Sequence, residues 1–213
     1  MSLIQSGPFP GQPQGITGWI GWLLLLAYII YLLFHWRKLN IPWGGNQTII
    51  MILLTLSVPL SSLFIGVRLP LISSLPEPML PLDSSSPIVV LLSALPWMLA
   101  AGLLGMFPAA FIGFLAGLLQ TLWETHNPFT VLEITLLAIL FTAAIRQRYR
   151  TLFYRFLRHP LGAAAGICVV YIFTSLFTFP LSAHGLLAAR IDYTLNQLGG
   201  LWVAMTLELL LAG

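Results

Sequence analysis

Seven apolar segments alternate along the chain with charged or Pro/Gly-rich breaks, and each has a length that predicts one membrane-crossing helix. About 20 predominantly apolar residues are needed to cross the hydrocarbon core of a bilayer. The pattern therefore predicts an all-α bundle of about seven transmembrane helices. The predicted helices span residues 18–35, 48–67, 87–106, 108–124, 130–146, 161–181 and 195–213.

The composition excludes a soluble protein. Of the 213 residues, 58% are hydrophobic and only 7% are charged, and the mean hydropathy is +0.94. Soluble domains carry about 25% charged residues, so this chain could not cover a water-facing surface of ordinary composition. A nucleic-acid partner is excluded on the same ground, and the single cysteine, Cys168, excludes a disulfide framework. We expect a multi-pass protein of the cell's inner (plasma) membrane, whose partner is the lipid bilayer.

The predicted domain organisation is simple. Residues 1–17 form a polar exoplasmic tail without Lys or Arg, which is not the charge pattern of a cleavable signal peptide. Residues 18–213 form a single transmembrane helical domain. The last apolar segment reaches Gly213 without a polar flank, so this domain is expected to continue into a longer protein.

The distribution of basic residues predicts the orientation. Five of the nine basic residues lie between the fifth and sixth segments, which places that loop in the cytoplasm. Counting crossings from this loop gives an N-terminus outside and a C-terminus inside the cell. The arginines are expected to anchor the chain at lipid headgroups, or alternatively to dock a cytoplasmic output domain. They are Arg146, Arg148, Arg150, Arg155 and Arg158.

Small residues recur every four positions in two parts of the chain. Spacing of this kind forms a flat stripe on a helix, along which another helix can approach closely. We interpret the stripe as packing within the bundle, and a homodimer seam is the alternative. The helix-packing residues are Gly105, Ala109, Gly113, Gly117, Gly162 and Gly166.

The polar residues that could bind a ligand concentrate in two predicted outer loops. A carboxylate at membrane depth, such as Glu133, costs about 2.5–3.5 kcal/mol unless it is paired. One hypothesis is an outward-facing polar pocket for a small ligand or a proton. The alternative is that Glu133 and Thr130 only cap their helix. The candidate ligand-binding residues are Glu124, His126, Asn127, Glu133, His184, Arg190 and Asp192.

Metal ions and organic cofactors are not expected in this chain. His126, His184 and a carboxylate could in principle ligate a metal, but no local spacing of ligands supports such a site. Glu208 is the other costly residue, deep in the last segment. It is expected either to pair with a polar group such as Ser93 or Thr142, or to lie near the inner surface.

One stretch resembles a known family. The run AAGLLGMFPAAFIGFLAGLL (residues 100–119), followed by WETHNPFT (residues 123–130) and RQRYR (residues 146–150), is similar to the membrane-embedded sensor modules of bacterial histidine kinases, with the LytS type as the nearest named relative. The resemblance covers about residues 88–161. It implies an N-terminal sensor module of a two-component system, followed in the same full-length chain by a cytoplasmic output domain.

The sequence therefore predicts a membrane-embedded input domain that senses a small ligand or the state of the membrane. No nucleophile–base pair, phosphate-binding loop or cofactor motif occurs in it, so we expect no enzymatic activity within these residues. Two alternatives remain. One is a small-solute transporter component similar to the substrate-binding subunit of an energy-coupling-factor transporter, and the other is a structural subunit of a membrane complex.

The first prediction concerns orientation. Cysteine-accessibility labelling in intact cells should find residues 125–129 on the outside and residues 147–158 on the inside, because the arginine-rich loop stays in the cytoplasm. Labelling that placed both ranges on one side of the membrane would contradict the seven-crossing topology.

Overall fold

The computed structural model describes the greater part of the chain, mainly as helices. The described residues are 11–13, 15–39, 44–63, 66–68, 88–90, 92–147, 149, 151–182 and 202–213. In chain order the elements are α1 (Gly15–His35), a 3-10 turn (Arg37–Leu39), α2 (Gly45–Leu63), β1 (Gly66–Arg68), β2 (Ile88–Val90), α3 (Leu95–Leu103), α4 (Met106–Gln120), a π-helix (Thr121–Thr125), α5 (Thr130–Arg146), α6 (Leu152–Arg158), α7 (Pro160–Ser182) and α8 (Trp202–Ala212).

Four stretches of helix are long and apolar enough to cross a membrane. They are Gly15–His35, Gly45–Ser62, Met106–Trp123 and Pro160–Ser182. Much of the large apolar surface of α1 and α2 faces outward, which is the arrangement expected of helices in contact with lipid. These features indicate a membrane protein and confirm the all-α class.

The third predicted helix, over residues 87–106, is wrong in its first part. Ile88–Val90 form strand β2, which pairs antiparallel with Gly66–Arg68, and the helix begins only at Leu95. β-Branched residues favour a strand here, and Pro96 occupies the first turn of α3, where a missing N–H costs nothing. The second predicted helix, over residues 48–67, extends too far. Helix α2 ends at Leu63, and Gly66–Arg68 form strand β1.

Helices α4 and α5 form the central antiparallel hairpin of the bundle. Gly113 and Gly117 of α4 lie directly against α5: a Cβ atom at Gly117 would be 2.9 Å from the Cα atom of Val131, and one at Gly113 would be 2.8 Å from the Cβ atom of Ala138. Twelve of the 17 residues of α5 are buried. The absence of side chains on the glycines is what allows this close approach.

Two apolar clusters extend from the central hairpin. The larger one joins α4 and α5 to α2, α3, α7 and α8, with Trp97 and Phe141 in edge-to-face contact at 5.8 Å between ring centroids. The smaller one joins the other side of the hairpin to α1, through Ile29 and Leu32. Helix α5 therefore has neighbours on both sides, which explains its burial.

The hairpin defines two ends of the bundle. The turn end comprises residues 126–129, which connect the π-helix to α5. The basic end comprises the α3–α4 turn, the end of α5, and α6. At this end Gly105 has a φ of 109°, a conformation that suits glycine, and it turns the chain between α3 and α4.

Arg146 connects α5 to α3 at the basic end. Its Nε donates to the carbonyl oxygen of Ala101 at 2.7 Å, and its Nη2 donates to that of Gly102 at 2.8 Å. The last carbonyl groups of a helix have no partner within the helix and carry partial negative charge, so a guanidinium group stabilises them.

Helix α6 lies against the first turns of α7. Gly162 packs on the carbonyl oxygen of Phe156, and a Cβ atom at Gly166 would lie 3.1 Å from Leu157. Among the described residues, the small-residue stripe of Gly162 and Gly166 in α7 therefore accommodates the short helix α6.

The second prediction tests the α4–α5 contact. Gly117→Ala should lower the free energy of unfolding by about 1–3 kcal/mol, because the new methyl group collides with backbone atoms of α5 that cannot move independently. The measurement is thermal unfolding in detergent. Gly102→Ala is the matched control, since a Cβ atom there meets nothing within 4 Å and alanine favours a helix. Equal stability of the two variants would contradict the contact.

Candidate functional site

The backbone at the turn end is irregular and closed by side-chain hydrogen bonds. The π-helix Thr121–Thr125 leads into His126, which adopts a left-handed conformation with a φ of 49°. The hydroxyl group of Thr121 donates to the carbonyl oxygen of Asn127 at 3.2 Å, and the hydroxyl groups of Thr125 and Thr130 are 2.9 Å apart. Single turns of π-helix occur frequently at functional sites, which makes this the first region to consider.

The N-terminal part of the chain covers this turn. Gly11 packs directly on the carbonyl group of His126, and the indole of Trp22 donates to the carbonyl oxygen of Pro128 at 3.0 Å. One turn earlier, Gly18 of α1 lies against the backbone of Leu181 in α7. The start of α1 therefore holds the turn end against the end of α7.

Glu133 lies below this cover, inside the bundle. Only 4% of its surface is exposed, and the hydroxyl group of Thr178 in α7 donates a hydrogen bond to its Oε1. Burying an unpaired carboxyl group among apolar side chains costs free energy, and this hydrogen bond compensates part of that cost. The contact links α5 to α7 near the turn end.

The alternative hypothesis is that Glu133 and Thr130 cap α5, and Glu133 does lie in the first turn of this helix, where a negative charge is favoured. The N-cap residue of α5 is Phe129, and no side chain caps this terminus by a hydrogen bond. The side-chain oxygen of Asn127 instead accepts the N–H of Phe129 at 3.0 Å, which stabilises the turn just before the helix. Asn127 thus acts locally, and Glu133 is directed across the bundle.

The structure describes only some of the other predicted ligand-binding residues. The backbone of Glu124 belongs to the π-helix, while its side chain, like His184, Arg190 and Asp192, lies outside the described residues. His126 is half-buried and interacts with other residues of the protein. The pocket proposed for these residues stays a prediction, and the part of it that the structure describes is the buried pair Glu133 and Thr178.

A second polar cluster lies deeper in the bundle, around α8. The hydroxyl group of Ser93 donates to Oε2 of Glu208 at 2.5 Å, and Glu208 is only 5% exposed. At the start of α8, the indole of Trp202 donates to the hydroxyl oxygen of Ser175 in α7 at 2.8 Å, about one turn before Thr178. Of the two partners considered for Glu208, the structure provides Ser93, whereas the hydroxyl group of Thr142 donates to a carbonyl group of its own helix.

The five arginines predicted to anchor the chain at lipid headgroups differ in their contacts. Arg146 binds α3, as described above, and Arg158 donates to the carbonyl oxygens of Gln147 at 3.0 Å and Tyr149 at 3.3 Å. Arg155 is exposed on α6. Arg148 and Arg150 lie outside the described residues.

Sequence reasoning missed Thr178, Ser175 and Trp202 as partners of the buried polar groups. Each is a moderately polar residue within or beside an apolar segment, a position that is common in any helical bundle. The distance along the chain between Glu133 and Thr178, 45 residues, gives no local spacing to detect. Only the relative rotation of α5 and α7 brings the two side chains together.

Comparisons with protein-family models, with curated proteins and with solved structures found no match for this chain. Within the described residues, no group of three or more His, Cys, Asp or Glu side chains could hold a metal ion. The buried carboxyl groups, Glu133 and Glu208, are the polar groups of the described bundle most suited to a function.

The third prediction tests the contact between α5 and α7. Thr178→Val should lower the free energy of unfolding by about 1–3 kcal/mol, because it leaves the buried carboxyl group of Glu133 without its hydrogen-bond donor. Thr178→Ser keeps the hydroxyl donor, so its free energy of unfolding should stay close to that of the unmodified protein. The matched control is Thr174→Val, one turn earlier in α7, whose hydroxyl group donates to the carbonyl oxygen of Val170 in the same helix. Equal losses for the two valine variants, measured by thermal unfolding in detergent, would refute the pairing.

Proposed function

We propose that this chain is the membrane-embedded input domain of a bacterial signal-transduction protein. In this proposal the turn end faces the outside and senses a small ligand or the state of the bilayer. The basic end faces the cytoplasm and relays the change to an output domain in the same full-length protein. The arginine-rich segment at the basic end supports the orientation.

The observation that carries the proposal is the hydrogen bond between Glu133 and Thr178. It joins α5 and α7 near the turn end, and both helices continue from there to the basic end. At the basic end the only covalent link between them is the connection through α6, residues 147–159. A change at one end of two helices can therefore appear as a relative displacement at the other end.

The pair is suited to have two states. A carboxyl group can accept the hydroxyl proton of Thr178, or it can carry a proton and donate, and the preferred geometry differs between these arrangements. Within the described residues, neither Glu133 nor Thr178 takes part in an ion pair that would fix one arrangement. The cover over the turn, which includes Gly11 and Trp22, lies where a ligand or a change in bilayer thickness would act first.

A small-solute transporter component is the second candidate, and one observation favours it. Helix α3 has nine residues and rises about 14 Å, roughly half of the hydrocarbon core, and α8 is also short. Ser93, just before α3, binds Glu208 of α8. Interrupted helices that meet near polar groups within the membrane are typical of transporter binding sites.

The fourth prediction separates these functions. Spin labels are attached at Leu103→Cys and Leu161→Cys in a Cys168→Ser background, because both leucines are exposed at the basic end. The distance between the labels is measured by pulsed electron resonance in liposomes at about pH 5 and about pH 8, and in thin and thick phosphatidylcholine bilayers. An input domain should change this distance in at least one comparison.

Glu133→Gln should abolish that change, since the amide cannot exchange the proton on which the two arrangements depend. Glu208→Gln is the matched control and should retain the response, because the hydrogen bond that Glu208 accepts comes from Ser93, which belongs to neither α5 nor α7. Identical distances under all conditions in the unmodified sequence would contradict an input domain. A response lost only in Glu208→Gln would favour the transporter.

A further inference from the structure

Helix α6 presents large apolar side chains that are mostly exposed in the part of the chain that the structure describes. None of its residues is buried, and three of its large apolar side chains are largely exposed: Leu152 at 80%, Phe153 at 67% and Phe156 at 60%. Residues three and four apart are neighbours on a helix, so these three side chains form one continuous face. Leu157, at the edge of this face, contacts α7 at Gly166.

The opposite face of α6 is polar and is held by the protein itself. Arg158 donates to the carbonyl oxygens of Gln147 and Tyr149, and the side-chain nitrogen of Gln147 donates to that of Tyr154 at 2.7 Å. The rings of Tyr149 and Tyr154 lie 4.9 Å apart. These contacts fix the helix and leave its apolar face outward.

The position of α6 determines what this face meets. It connects the basic end of α5 with the first residue of α7, a helix long and apolar enough to cross a membrane. A short helix at the end of a membrane-crossing helix lies at the level of the bilayer surface. An amphipathic helix at that level places its apolar side chains at the boundary between headgroups and acyl chains.

We propose that α6 lies in the bilayer surface and binds anionic phospholipid headgroups. Leu152, Phe153 and Phe156 enter the boundary region, and Arg155 binds the headgroup phosphates. Both arginines of α6 are exposed. Arg158, like Arg146, donates to backbone carbonyl groups, whereas among the described residues the side chain of Arg155 makes no such hydrogen bond. The charge of Arg155 and the exposed apolar face together match a negatively charged lipid surface.

The experiment uses the full chain in liposomes, with an environment-sensitive fluorophore on Leu152→Cys in a Cys168→Ser background. Nitroxide-labelled phosphatidylcholine and phosphatidylglycerol are the quenchers. We expect both lipids to quench the fluorophore, because the apolar face is inserted. Phosphatidylglycerol should quench as though enriched about fivefold near α6, the equivalent of the roughly 1 kcal/mol that one cation gains at an anionic surface.

Arg155→Gln should remove the preference for phosphatidylglycerol but keep the quenching by both lipids. Arg155→Lys keeps the positive charge and should therefore keep the preference. Lys38→Gln is the matched control: it removes one charge from the 3-10 turn after α1, outside α6, and should leave the preference unchanged. Phe153→Ser combined with Phe156→Ser should reduce quenching by both lipids.

Two results would overturn the proposal. The first is a fluorophore that neither lipid quenches, which would leave α6 in water with its apolar face available to a protein partner. The second is an unchanged preference for phosphatidylglycerol in Arg155→Gln. Neither result bears on the response of the α5–α7 pair, so the two proposals fail separately.

Discussion

The close contact between α4 and α5 is the constraint on which the other contacts of the bundle depend. Because Gly113 and Gly117 present no side chains, the backbone of α5 lies directly on α4, and α5 becomes the buried centre of the structure. The remaining helices pack around this pair in two apolar clusters. Any polar residue on α5 must consequently find its partner within the protein, because neither lipid nor water reaches most of that helix.

The hydrogen-bond partners of the polar residues on α5 reflect this constraint. Glu133 is buried in the bundle, and its partner is the hydroxyl group of Thr178. Arg146, at the other end of the same helix, binds the terminal carbonyl groups of α3. The same helix therefore holds a buried contact to α7 at the turn end and an exposed contact to α3 at the basic end, which is the arrangement expected of an element that connects two surfaces.

The two glutamates within the bundle, Glu133 and Glu208, have similar surroundings. Each is almost completely buried, and each accepts a hydrogen bond from a hydroxyl group that is distant in the chain: Thr178 of α7 for Glu133, and Ser93, just before α3, for Glu208. Hydroxyl groups compensate a buried carboxyl group without adding a second charge to an apolar medium. The two pairs occupy different parts of the bundle, and this separation makes each glutamate a suitable control for the other.

The sequence by itself determined the helical class, the membrane character and the bounds of α1, α5 and α7 to within three residues, because hydropathy is a local property that each segment carries alone. It also identified Glu133 and Glu208 as residues that need partners, since the cost of burial depends on the group itself. Their partners, the short span of α3 and the different roles of Arg146, Arg155 and Arg158 were decided by the tertiary structure. These features depend on how helices distant in the chain are rotated against one another, and no local pattern of residues encodes that rotation.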